Sequence, residues 1–204
     1  MRVLHRLVLD HGSRVDPGLL VMTLLALNVA WVLILGAFDD QFRQTAGYPR
    51  PDLQNDLRPE LIMTTGRFLE QATSYPQEAR TLDWAFFILD NIMPQLAFGA
   101  FALLWVALLR RLPWGWAERL LHSPLILLPL GVGLFDWVEN VAYVWAISRP
   151  VDPNAPAMLY VGLAAKWVKG ACVSLTMFGT LPLLVAFLVA ALRRWQRAPS
   201  SNTG

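Results

Sequence analysis

The sequence predicts an all-α polytopic membrane protein, with four transmembrane helices in an antiparallel bundle and a helical cap on the extracytoplasmic side. Three observations predict it. Of 204 residues, 55% are hydrophobic and only 16% charged, against roughly 25% charged in soluble domains. That apolar load exceeds what one soluble core of this length buries. Residues 17–38, 91–109 and 170–192 carry no Asp, Glu, Lys or Arg, and about 20 such residues cross a hydrocarbon core of about 30 Å as helix. The run from Pro124 to Ile147 is apolar apart from Asp136, Glu139 and Asn140, and reads as a fourth span carrying polar groups.

Other classes fall away on the same figures. Disorder needs low hydrophobicity and high charge. The lone Cys172 excludes a disulfide scaffold, and three histidines beside one cysteine make no conventional metal site. No phosphate-binding loop or dinucleotide fingerprint calls for a cofactor. Although the pI is near 9.0, the arginines lie scattered at span ends, where membrane topology accounts for them. Nucleic acid is therefore not among the expected partners.

Read in order, residues 1–204 form a single membrane domain with spans at about 18–38, 84–109, 124–147 and 158–192. The first apolar run is longer than the 7–15 residues typical of a signal peptide, and no small-x-small cleavage site follows it. It is expected to stay as an anchor. The extracytoplasmic segment, residues 39–82, opens as loop through Pro49, Pro51 and Pro59. A helix then runs from Pro59 to about Thr73, with Leu61, Ile62, Phe68, Leu69 and Ala72 on its apolar side. Such a helix lies on the bilayer or caps the bundle. Ser74-Tyr75-Pro76-Gln77 has the form of a capping box, so the second long helix is expected from near Tyr75 to about Arg111. At 1.5 Å per residue it measures roughly 55 Å, which projects it beyond the hydrocarbon. The last helix, from Ala157 to about Arg194, has a similar excess.

The Lys/Arg distribution sets orientation. The N-terminal segment, the connection at 110–123 and the C-terminal tail together hold nine arginines against Asp10, Asp16 and Glu118. On the other side acids outnumber the arginines. Positive-inside bias then places both termini in the cytoplasm of a bacterial inner membrane. Trp114, Trp116 and Trp195 fall where an aromatic belt is expected.

Three spans carry residues that lipid rejects. Asp83 and Asp90 are seven apart and share a helix face. Asp136, Glu139, Asn140 and Tyr143 follow i, i+3, i+4, i+7 spacing and form one stripe. Lys166 and Lys169, the only lysines in the chain, are followed by Thr176 on the same helix. Asp90 lies about 10 Å below Asp83, and Glu139 about 15 Å from Arg149, so all three groups fall in the outer half of their spans. A charge at the bilayer centre costs about 2.5–3.5 kcal/mol, so these charges are expected to pair or to face water. Asp90, Asp136 and Glu139 against two lysines leave one negative charge, to be neutralised by a proton or an incoming cation. Pro94 cannot donate to the carbonyl of Asp90, and a kink there is expected to help shape a polar cavity. The alternative is that both lysines snorkel to the outer interface and the acids act as glue between helices.

The Asp136-Trp137-Val138-Glu139-Asn140 motif, with Gly66-Arg67, Leu89-Asp90, Pro94 and Lys166, resembles that of a group of uncharacterised bacterial four-span integral membrane proteins. The resemblance covers roughly residues 60–175. It implies the four-span fold and supplies no activity.

Three functions compete. The first is a membrane protein binding a lipid or small amphiphile at a polar intramembrane site formed by Asp90, Asp136, Glu139, Asn140, Tyr143, Lys166 and Lys169. The second is a proton- or ion-coupled transporter, which with four spans would need a homodimer. The third is an intramembrane lipid-modifying enzyme, with Glu139 or Asp136 as general base and Lys166 stabilising developing charge. Ser174 and Thr176 lack a nearby histidine base, so the balance leans away from an enzyme. Gly131-Val132-Gly133 is expected to ease helix packing and Cys172 to fill space.

Overall fold

A computed structural model describes residues 2–47 and 65–197. The described residues are helical throughout, apart from short turns, and contain no strand. The proposed loop at Pro49, Pro51 and Pro59, and the start of the helix expected from Pro59, lie outside them.

Seven helices follow in order: α1 (Arg2–Gly12), α2 (Pro17–Ala46), α3 (Thr65–Thr73), α4 (Gln77–Leu109), α5 (Gly115–Leu121), α6 (Leu128–Ser148) and α7 (Ala155–Arg197). A 3₁₀ turn, Pro124–Leu127, leads into α6. Four of these elements are long and apolar enough to cross a membrane: Pro17–Ala46, Gln77–Leu109, Pro124–Ser148 and Ala155–Gln196. Their outward faces carry Met22, Val29, Leu33, Leu134, Phe178 and Leu188, all more than half exposed. An apolar surface so continuous is stable against lipid and not against water.

Each helix end has a local cause. Asp16 caps α2 by accepting from the Leu19 amide at 3.1 Å, and Pro17 takes the first position, where a missing N–H costs nothing. The helix does not stop at Asp39, where the apolar run ends. It continues two turns to Gly47, which adopts φ 80° and returns its amide to the Arg43 carbonyl at 2.9 Å. Glycine reaches that left-handed conformation without a Cβ penalty. Helix α3 ends at Thr73, as its pattern predicts, but the junction beyond it is built differently from the expected capping box. Ser74 Oγ donates backwards to the Gln71 carbonyl at 2.8 Å, and α4 starts from Pro76 with no side-chain cap. Arg80 reaches back to the Ala72 and Thr73 carbonyls. The hydroxyl proton goes to an orphan carbonyl at the end of α3, and no amide of α4 donates to its oxygen.

Two core clusters hold the helices. One joins α1, α2, α4, the 3₁₀ turn and α7 through Leu104, Trp105, Leu108, Leu109, Ile126 and Leu183. The other surrounds Phe42, Phe68, Phe86, Phe87, Tyr143 and Leu159, and joins α3 to α2, α4, α6 and α7. Helices α6 and α7 make the most extensive pairing, and α4 packs on α2 and α6. Gly162 of α7 faces α6, where an added Cβ would lie in ordinary contact with Ala142 Cβ at 3.4 Å. Gly133 admits the Gln95 amide of α4, which donates to the Gly133 carbonyl at 2.6 Å.

Arginines clamp the other end of the molecule. Arg111 reaches the Ala107 carbonyl at 2.8 Å and the Val15 carbonyl at 3.4 Å, and Arg194 donates to the Arg111 carbonyl. Trp114 and Trp116 stack at 5.9 Å beside them.

Candidate functional site

The second cluster encloses one side of a cavity of about 300 Å³. Four helices build it. Helix α4 contributes Asp83, Phe86, Phe87 and Asp90, α6 contributes Glu139, Asn140 and Tyr143, α7 contributes Lys166 and Lys169, and α2 contributes Leu35 and, at the rim, the exposed Asp39. Phe68 of α3 and Tyr75 of the α3–α4 junction close the outer part.

The polar centre is a cation held between two carboxylates. Lys169 Nζ lies 2.8 Å from Asp136 Oδ1 and also contacts Glu139 Oε2. Asn140 Nδ2 donates to the second Asp136 oxygen at 3.3 Å. Asp136, Glu139 and Asn140 are buried, and the Lys169 side chain is 22% exposed. One turn of α6 presents all three groups on the face that α7 covers, which is why a single lysine reaches both acids. Lys169 thus turns inward to α6 instead of snorkelling away from it.

Asp90 is placed differently. It lines the same cavity, half-buried, and makes no ion pair or hydrogen bond with another described residue. It stands near enough for its charge to repel Asp136 and Glu139, while Lys166 attracts Glu139. The carboxylates of Asp39, Asp83, Asp90, Asp136 and Glu139 therefore outnumber the ammonium groups of Lys166 and Lys169 around the cavity.

An aromatic wall faces these charges. Phe86 contacts Trp31 at 6.1 Å, Phe38 at 6.0 Å and Phe87 at 6.0 Å between centroids, and Phe68 meets Tyr143 at 6.2 Å. Edge-on and tilted contacts of this kind fix ring orientation. The cavity therefore offers carboxylates and aromatic rings side by side.

Of the residues singled out in the sequence, Asp90, Glu139, Asn140, Tyr143, Lys166 and Lys169 come to the cavity, and Asp136 lies directly behind Lys169. Thr176 does not join them. It is fully buried deeper in α7, where its carbonyl accepts from Thr180 Oγ1 at 2.7 Å. Pro94 likewise lines a separate apolar groove and not the polar cavity, because one helical turn below Asp90 carries it past the cavity floor. Sequence reasoning missed Asp39, Phe86, Phe87 and Tyr75. The signal was there for two of them: Phe86 and Phe87 fall between Asp83 and Asp90 on the face those acids define.

Among the described residues, no group of three or more His, Cys, Asp or Glu side chains could hold a metal ion. Comparison with protein-family models, curated proteins and solved structures finds no match to this chain.

Proposed function

We propose that this chain is a bacterial inner-membrane protein that binds a small amphiphile in the polar cavity. In this reading the four spans form an antiparallel bundle, both termini are cytoplasmic, and α3 belongs to an extracytoplasmic cap. The Asp-Trp-x-Glu-Asn motif then supplies the buried carboxylates of a binding site, and membrane lipids are the surrounding partner.

One observation carries the reading: a cavity of about 300 Å³ lined by both charged groups and aromatic rings. That size and lining suit a small ligand with a polar and an apolar part. A purely structural ion pair would need no adjoining space and no fourth charge at Asp90. Native mass spectrometry of the full chain, released from mild detergent, tests it. One stoichiometric non-protein mass is expected, and it should be lost when Leu35→Trp fills the cavity. Equal, graded lipid adducts on both proteins would contradict the reading.

A second reading, ion-coupled transport, is favoured by the half-buried carboxylate of Asp90, which has no polar partner among the described residues. It differs in requiring flux. Reconstituted vesicles that accumulate a cationic dye under a pH gradient, and cease to in Asp90→Asn, would support it over simple binding.

A further inference from the structure

Immediately below the polar cavity, an apolar groove of about 350 Å³ runs between α2, α4 and α7. Of its lining residues only Asn28 and Thr180 carry polar side chains on otherwise apolar walls of Leu24, Trp31, Phe98 and Leu184. Groove and cavity follow one another on all three helices. On α2, Leu35 lines the cavity and Trp31, one turn away, lines the groove. On α4, Asp90 lines the cavity and Met93, three residues on, lines the groove. On α7, Lys169 lines the cavity and Met177, two turns on, lines the groove. Trp31 and Phe86, in ring contact, mark the join.

Length and charge identify the occupant. From Met93 to Leu104 the groove follows α4 for about 16 Å, close to half of a hydrocarbon core of about 30 Å. It therefore matches an alkyl chain the depth of one leaflet. The carboxylates around the cavity above it outnumber its two lysines, and Asp90 stands beside Phe86 and Phe87. A carboxylate beside aromatic faces is the combination that recognises an organic cation. An anionic headgroup would meet this excess of carboxylates.

We infer that the ligand is a single-chain cationic amphiphile, its amine or quaternary ammonium headgroup against Asp90 and the phenylalanines, its alkyl tail lying in the α2–α4–α7 groove. The inference rests on the amphiphile-binding reading above and adds to it the sign of the headgroup and the path of the tail. Because α2 exposes Leu25 and Val29 beside the groove, the ligand enters sideways from the bilayer and needs no aqueous route.

The test uses the full chain in phosphatidylcholine nanodiscs and three hexadecyl probes carrying a diazirine near the chain end: a trimethylammonium, a sulfate and a neutral alcohol. The trimethylammonium probe should bind saturably and label Phe101 or Leu104, with labelling displaced by unlabelled hexadecyltrimethylammonium. Its affinity should fall about tenfold or more in Asp90→Asn, which removes the charge opposite the ammonium. The wild-type probe series decides the sign even if that variant is poorly folded. Equal saturable binding of the sulfate or alcohol probe would overturn the cationic assignment and leave amphiphile binding intact. Labelling confined to the outward face at Met22, Val29 and Leu33, without displacement, would overturn the groove. Failure of all three probes to bind saturably would overturn this inference and the binding reading together.

Discussion

Replacing Lys169 by methionine is the perturbation whose cost follows most directly from the geometry. Its ammonium sits 2.8 Å from Asp136 and also touches Glu139, and both acids are buried. At an effective dielectric of 20, a contact of that length is worth about 6 kcal/mol before desolvation is subtracted. Much of that gain offsets the removal of three charges from water, so the pair adds little to stability over an apolar replacement. Breaking it from one side is another matter, because two carboxylates are then left facing each other in a dry site. The expected loss is about 3–5 kcal/mol, or a fall in unfolding temperature of about 6–20 °C for a chain of this size. Thermal unfolding in mild detergent, followed by size-exclusion fluorescence, measures it. The triple change Lys169→Met, Asp136→Asn, Glu139→Gln removes the stranded charges and should recover most of the loss. An unfolding temperature for Lys169→Met within about 2 °C of wild type would refute the reasoning. So would a triple variant as damaged as the sum of its parts.

Three further outcomes are expected. Gly179→Ala drives a methyl against the benzo ring of Trp105, whose indole N–H is fixed to Thr180 Oγ1 at 2.7 Å. It should cost about 1–3 kcal/mol and alter the near-ultraviolet tryptophan circular dichroism, whereas Gly99→Ala, in open space, should do neither. Gly47→Ala forces a Cβ into the left-handed end of α2 and should lower stability by about 1–2 kcal/mol, read from the same thermal assay; an unchanged midpoint would mean that the end of α2 is not held as described. In a Cys172→Ala background, an impermeant maleimide should label Gln44→Cys in intact cells and Asp10→Cys only after lysis. The reverse pattern would invert the proposed orientation.

Much of the fold was legible because lipid imposes a simple rule on sequence. Residues 17–38, 91–109 and 170–192 carry no Asp, Glu, Lys or Arg, and each lies inside one long helix. What was missed lies where that rule is silent. Helix α1 mixes Arg6, His5 and Asp10 with Val8, the buried residue that packs on the first core cluster, so no long apolar run announces it. The end of α2 was read at Asp39 because hydrophobicity stops there, yet helix continuation depends on backbone signals, and Gly47 supplies the stop. Ser74 matched a capping pattern, but a serine between two helices can serve either end, and spacing alone does not choose.

The site was legible to a different degree. The i, i+3, i+4, i+7 stripe on α6 names one face of a single helix, so Asp136, Glu139, Asn140 and Tyr143 could be grouped before any fold was known. Which lysine meets them depends on the rotation of α7 against α6, which spacing along one helix does not give. Sequence spacing treats Lys166 and Lys169 alike; packing separates them, and Lys169 holds both acids. The aromatic wall was hidden for a related reason. Phe68, Tyr75, Phe86 and Phe87 come from α3, the junction and α4, and apolar residues in a membrane protein carry no mark that distinguishes a cavity wall from a lipid-facing surface.

The central claim is that the polar cavity holds a small molecule, and a crystal structure of the full chain grown from a lipidic mesophase tests it most directly. The account predicts non-protein density filling the space between Asp90, Phe87 and Tyr143, continuous with a rod of density along α4 towards Phe101. A cavity holding only ordered water, with the Lys169–Asp136–Glu139 contacts unchanged, would contradict it.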